Sequence, residues 1–230
     1  MIARKLILMA LLGSLASHAQ ETGEDKWGAW YMYTGTNRVS ESLSFHSEVQ
    51  LRYYETGGNF NQMILRTALN YHIGPNTMAS VGYGFMDTDP VFGEVPERVN
   101  TKEHRIYEQF VMKDRLWEFH VEHRYRLEQR FMDFGEVTDT RHRARYRLQL
   151  TLPLTDIFFL NVSDELMINL QGDLFDQNRL YGALGINITE NSSLQLGYLR
   201  NQFAHGVYDR LQVAFTYNPD LRGLFQKNKS

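Results

Sequence analysis

The chain has no cysteine. That excludes disulfides, thiolate nucleophiles, cysteine-held metals and a lipid anchor on a cysteine. Proline is scarce, at five residues in 230. With no Pro/Gly/Ser-rich linker and no low-complexity tract, nothing divides the chain into separate units. It has no series of long apolar runs, and a mean hydropathy of −0.43 is too polar for a bundle of membrane helices. It also lacks a charge excess. Twenty-four Lys and Arg against 27 Asp and Glu leave a formal −3, where a general nucleic-acid binder carries a basic surplus. Aromatic residues, by contrast, are plentiful: 14 Phe, 13 Tyr and 3 Trp, far from the composition of a disordered segment.

The one apolar run is at the N-terminus, MIARKLILMALLGSLASHAQ. Arg4 and Lys5 precede an apolar stretch from Leu6 to Ala16, and Ser17-His18-Ala19 is a small-x-small cleavage site. The run is shorter than the ~20 residues needed to span a bilayer. Residues 1–19 therefore read as a cleaved signal peptide, with the mature chain starting at Gln20 and exported.

Beyond it, apolar and polar residues alternate with period two, the mark of strands with unlike faces. SLSFHSEVQLRYY (42–54) sets Leu43, Phe45, Val49, Leu51 and Tyr53 against Ser44, His46, Glu48, Gln50 and Arg52. MILRTALNYHI (63–73) repeats the pattern, and further candidates follow at 78–85, 102–112, 116–128, 141–152, 157–168, 179–188, 194–201 and 207–217. WGAWYMYT (27–34) is shorter. Connections alternate between tight turns (GPNT 74–77, KDR 113–115, PLTD 153–156, TENSS 189–193) and longer polar loops (86–100, 129–140, 170–178). Long strands joined short-long-short are expected of a transmembrane barrel. The fold class is all-β: an antiparallel up-and-down transmembrane β-barrel of ten to twelve strands with a polar, salt-bridged interior. Eleven candidates conflict with the even number usual in bacterial barrels. The organisation expected is thus a signal peptide at 1–19, an N-terminal segment at 20–42 (a short strand or a plug), a barrel at 43–217 and a tail at 218–230.

Alternation alone leaves open which face is inside. In a soluble barrel the apolar rows would be the core. In a membrane barrel they meet lipid and the charged rows fill the lumen. Long strands and outward aromatics such as Trp117, Phe119, Tyr125, Phe158 and Tyr198 favour the second. So does complementary charge on successive polar rows: Glu103 and Arg105; Glu122, Arg124, Arg126 and Glu128; Arg141, Arg143, Arg145 and Arg147; and Glu165. With turns near Lys113-Asp114, Phe134 and 153–156, these form a ladder pairing Glu103 with Arg124, Arg105 with Glu122, Glu128 with Arg141, Glu122 with Arg147 and Arg145 with Glu165. Guanidinium suits such pairing better than ammonium.

Several short patterns resemble one family. They are Trp27-x-x-Trp30, the Glu48-x-Gln50-x-Arg52 step, HRYRLEQRF (123–131), the Arg-x-Arg-x-Arg strand and Asn178-Arg179. Together they resemble the domain-of-unknown-function family numbered 2490, across nearly the whole mature chain. The resemblance implies an outer-membrane β-barrel of a Gram-negative bacterium and implies no activity. In one respect the chain departs from outer-membrane barrels, which end on an aromatic residue. Here Phe215 and Tyr217 close the last strand, but thirteen residues follow, and Phe225 is five from the end.

Other constellations point to little chemistry. His120 and His123 would face opposite sides of a strand, so no metal site is expected. Asp87, Asp89, Glu94 and Glu97 share loop 86–100 without calcium-loop spacing. Ser163 and His120 are the candidates for a lipid hydrolase or acyltransferase, but no nucleophile elbow is present. The expectation is a non-enzymatic integral outer-membrane barrel without cofactor, in a structural or small-solute role. Its partners would be outer-membrane lipid, lipopolysaccharide and the barrel-assembly machinery. The alternatives are a narrow anion-preferring pore with conductance lowered by Arg143→Glu, an outer-membrane lipid-modifying enzyme, and a soluble periplasmic ligand-binding barrel.

Overall fold

A computed structural model describes Gly23, residues 26–93 and residues 99–226. The signal-peptide expectation, and Glu94 and Glu97 of the long loop, lie outside the described residues. Among the described residues eleven strands form one closed barrel: β1 (Gly28–Arg38), β2 (Leu43–Tyr53), β3 (Phe60–Gly74), β4 (Thr77–Thr88), β5 (Thr101–Leu116), β6 (Phe119–Asp133), β7 (Thr138–Pro153), β8 (Phe158–Asn169), β9 (Phe175–Thr189), β10 (Ser192–Phe203) and β11 (Gly206–Tyr217). A short helix, α1 (Arg222–Gln226), follows.

Each strand pairs antiparallel with the next, and β1 closes on β11 in parallel, from Gly28 opposite Arg210 to Gly35 opposite Tyr217. Parity forces this. In an up-and-down meander with an odd number of staves, the first and last run the same way. The segment expected as a short strand or plug is therefore a full stave of eleven residues, and the odd count is real. Beyond β11 the chain runs on beside the end of β1: Arg38 donates to the Pro219 carbonyl at 3.1 Å, and Leu221 donates to the Arg38 carbonyl at 2.8 Å.

The burial is inside out. Among described residues more polar and charged side chains are buried than apolar ones, while Phe45, Leu69, Tyr125, Leu127, Phe158, Val162, Leu184 and Leu196 point outward and exposed. The period-two pattern causes this: inward positions carry Arg, Glu, Gln and Asn, and outward ones carry the aliphatics and aromatics. The outward carboxylates Glu108 and Asp164 interrupt the apolar wall, partnered by Gln129 at 3.3 Å and Asn178 at 2.7 Å.

Two turns differ from the sequence reading. The β5–β6 turn lies at residues 117–118, not at KDR, because β5 continues to Leu116. The loop expected over 129–140 shrinks to residues 134–137. Both shift the register by an even number of residues: Glu103 lies opposite Met132 rather than Arg124, and Glu128 opposite Arg143 rather than Arg141. An even slip leaves every side chain on its own face, so the charged rows still meet in the lumen.

Candidate functional site: an arginine-rich lumen

The wall from β5 to β8 carries the charge. Glu128 of β6, with its side chain fully enclosed, sits among four guanidiniums. Its Oε2 accepts from Arg143 at 2.7 and 2.8 Å, and its Oε1 from Arg145 at 2.8 Å and Arg105 at 3.3 Å, with Arg126 at 3.7 Å. Glu165 of β8 accepts from Arg124 at 2.6 Å and from Arg145 at 2.8 and 3.1 Å. Glu103 of β5 receives Arg130 through two bonds at 2.9 and 3.0 Å, and its neighbour Arg105 at 2.7 Å. Glu122, nearer one mouth, holds Arg147 at 2.5 Å and Lys113 at 4.0 Å. Across the lumen Glu48 of β2 takes Arg66, Gln50 and His46. Such sharing gives several cations a common acceptor while leaving net positive charge, and enclosure keeps solvent from screening the attraction.

Of the five pairs expected from sequence, the structure brings together Glu122 with Arg147 and Arg145 with Glu165. Both are diagonal contacts, since Arg147 stands directly opposite Arg124 and Arg145 opposite Arg126 and Met167. Glu103–Arg124, Arg105–Glu122 and Glu128–Arg141 are not formed. Arg141 lies at the exposed end of β7, paired with Asp139 at 2.6 Å. Arg105 and Arg143 bind Glu128 instead.

Sequence reasoning left several contributors out of the ladder: Trp30, Glu48, Arg52, Arg66, Arg130, Asp176 and Arg179. Asp176 was hidden by a β-bulge. Met167 pairs with Gln177 and Ile168 with Phe175, so Asp176 is the extra residue, turned inward to hold Arg143 at 2.6 Å. The others did leave a signal. Trp30, Glu48, Arg52 and Arg179 belong to the patterns that carried the family resemblance, and the barrel brings them together. The guanidinium carbon of Arg52 lies 3.6 Å from the Trp30 ring centre, and that of Arg179 4.9 Å away.

These residues sit where two cavities meet. The larger, of about 830 Å³, opens toward the end lined by Asn218, Asp220 and Arg222. The smaller, of about 440 Å³, lies toward the opposite end, beneath Tyr54, Phe203 and Tyr208. Trp30, Arg52, Arg66, Arg145 and Arg179 line both and form the neck. The side chains lining the smaller cavity include eight arginines against two carboxylates, Glu103 and Asp176. Those lining the larger one include ten Lys and Arg against four carboxylates. Beside the neck the wall turns apolar, with Tyr181, Ala183 and Leu199 packed against Trp30.

The neck arginines are not equivalent. Arg66 and Arg145 have carboxylate partners. Arg52 bonds only the amide oxygens of Gln50 and Gln62, at 2.6 to 3.0 Å, and Arg179 only those of Gln177 at 2.9 Å and Asn201 at 3.4 Å. Among described residues neither has a carboxylate within salt-bridge distance.

The candidate enzyme residues do not converge. Ser163 is on β8 and His120 on β6, with β7 between them. A serine–histidine contact missed in the sequence does exist: Ser44 Oγ is 2.8 Å from His72 Nε2. Ser44 is fully buried, and Asn70 donates to the serine at 3.1 Å rather than orienting the imidazole. His123 meets Tyr146 at 2.9 Å. Among the described residues no group of three or more His, Cys, Asp or Glu is placed to hold a metal.

No curated protein matches the chain. Among solved structures, the siderophore receptor PirA of Pseudomonas aeruginosa is similar over 76% of this chain at 13% identity, with a TM-score of 0.34. The chain spans 35% of that receptor's length. The family model for proteins of unknown function DUF2490 matches residues 27–212, from Trp27 in the approach to β1 to Gln212 in β11. A match over most of the barrel shows the family, and the chain belongs to DUF2490.

Proposed function

We propose that this protein is an integral outer-membrane β-barrel, non-enzymatic, whose interior attracts small anions and gives them a narrow passage. Its setting would be outer-membrane lipid and lipopolysaccharide, reached by way of the signal peptide and the barrel-assembly machinery. The apolar outer wall supports the membrane reading, because a soluble barrel would present its charged rows to water and keep the aliphatic rows inside. One observation carries the rest. Both cavities hold a large surplus of guanidinium over carboxylate, and they meet at a neck of four arginines. A row of arginines in a low-dielectric passage favours anions over cations.

The test is reconstitution in planar bilayers under a KCl gradient, after heat-modifiability on gels and membrane fractionation confirm insertion. A small conductance with a reversal potential toward the chloride value is expected. Arg179→Gln removes a neck charge without stranding a carboxylate and should reduce that preference. Recovery in the soluble fraction would overturn the membrane reading. Inserted protein that stays silent, or prefers cations, would overturn the passage.

A further inference from the structure

The smaller cavity is more than a polar filling. A neutralised core would match its arginines with carboxylates, as Glu128 and Glu165 do on the β5–β8 wall. Here eight arginines line the wall: Arg66, Arg105, Arg130, Arg143 and Arg145 are paired with Glu48, Glu103, Glu128, Glu165 or Asp176, while Arg52, Arg179 and Arg210 have no carboxylate within salt-bridge distance among the described residues. The surplus is concentrated where Arg52 and Arg179 crowd one indole, held by neutral amides alone. Arg52 is only 6% exposed. A guanidinium taken out of water with no carboxylate in contact loses hydration that an amide oxygen only partly replaces. Unused donors also remain. Among the described residues the Trp30 Nε1 is buried without a partner, as is Arg126 Nη1 apart from the Glu128 oxygen 3.7 Å away, and Arg179 Nη1 donates to no acceptor. Trp30 and Arg179 both line the cavity. At about 440 Å³ it falls in the range of small-molecule sites.

We propose that this cavity is a binding site for a small organic oxyanion carrying two or more negative charges, a di- or tricarboxylate in its chemistry, seated on Arg52 and Arg179 at the neck. A single chloride would neutralise one guanidinium and leave the other. A polycarboxylate answers both, and planar carboxylates match the two-pronged geometry of guanidinium. The proposal deepens the anion reading of the lumen. It requires no conduction, so it is tested in detergent micelles, where silence in a bilayer has no bearing.

The experiment uses the full mature chain, folded in micelles at low salt, with Trp27→Phe and Trp117→Phe so that Trp30 is the only tryptophan of the original three. Citrate, inorganic phosphate and chloride are titrated in turn, read by calorimetry and by Trp30 emission. One citrate per barrel is expected, with a change in Trp30 emission. Arg52→Gln and Arg179→Gln should each weaken binding by about tenfold, the scale of one lost charge-assisted contact, while Arg141→Gln at the exposed rim leaves it unchanged. Near-ultraviolet circular dichroism and heat-modifiability confirm that each variant is folded. A folded barrel without heat or emission change at about 1 mM citrate overturns the site. Phosphate binding as tightly as citrate overturns the polycarboxylate class, and chloride doing so reduces the cavity to a counter-ion atmosphere. Equal loss in Arg141→Gln overturns the placement at the neck.

Discussion

Glu128 shows what a single residue does in this lumen. One enclosed carboxylate faces Arg105, Arg126, Arg143 and Arg145 within 3.7 Å. Glu128→Gln removes the charge and keeps the shape, so four guanidiniums lose their common acceptor. Breaking a buried pair from one side costs about 3–5 kcal/mol, because the cation left behind is uncompensated. Unfolding of Glu128→Gln in lipid vesicles by urea should show a loss of that order. Glu122→Gln, whose carboxylate is 22% exposed, should lose about 1 kcal/mol or less, nearer a surface pair. Equal losses would mean that the ladder contributes little. That Glu128 faces inward was legible from alternation, since parity survives any even slip. Its partners were not. An arginine is long enough to reach one pair up or down, so identity on the opposite strand does not fix which carboxylate it takes. Arg145 shows this, bonding both Glu128 and Glu165 while standing opposite neither.

At the scale of the strand, large inward rings rest on glycines of the neighbouring stave. Tyr107 of β5 lies flat over Gly82 of β4, and a Cβ there would come 2.3 Å from the ring. Phe159 of β8 covers Gly185 of β9 in the same way, at 2.1 Å. Glycine in a strand is otherwise a weakness, but here it lets the ring occupy the floor. Tyr107 is 1% exposed and its ring lies 4.5 Å from the Arg126 guanidinium, so it could yield only toward the larger cavity it lines, at the cost of that contact. Gly82→Ala should therefore destabilise the barrel by about 1–3 kcal/mol, the usual range for overpacking, whereas Gly182→Ala on β9, where a Cβ meets nothing, should be neutral or slightly stabilising. Urea midpoints of the two variants side by side decide it. A stable Gly82→Ala protein would show that the ring is free to move. The strands themselves were readable wherever one face is apolar. Their ends were not, because beyond the apolar belt both faces are polar. Lys113, Asp114 and Arg115 thus looked like a turn while β5 ran on to Leu116.

The whole molecule closes through one unusual seam, the parallel pairing of β1 with β11, and the tail reinforces it. Only the odd count in the sequence signalled this, since strand direction is invisible to alternation. Past Tyr217 the tail runs beside β1, with Asn218 accepting from the Thr36 amide at 2.9 Å and Pro219 and Leu221 bracketing Arg38. Arg222 ties it to the β1–β2 turn by pairing with Glu41, and within the tail donates to both oxygens of Asp220, at 2.5 to 3.0 Å. Because Asp220 and Arg222 also line the larger cavity, the latch secures the seam and shapes that mouth together. The Arg222 hydrogen bonds hold the Asp220 carboxyl at about 2, below its usual value. A depressed carboxyl stabilises above its unfolded pKa and loses that contribution only as pH falls through the folded value. The Asp220–Arg222 pair inside the tail should therefore persist through the ordinary carboxylate range and open near pH 2. In Arg222→Ala, which lacks both the pair to Asp220 and the pair to Glu41, Asp220 should titrate near the ordinary aspartate value of about 3.9, and the tail should be looser at every pH. The measurement is the Asp220 carboxyl resonance against pH in micelles, together with hydrogen exchange of the Arg38 amide, which donates to Pro219. In the variant the carboxyl midpoint should rise and the amide should lose protection across the pH range. An Arg38 amide that stays protected in Arg222→Ala while Asp220 titrates normally would show that the tail holds the seam by its backbone alone, and that the guanidinium only shapes the mouth.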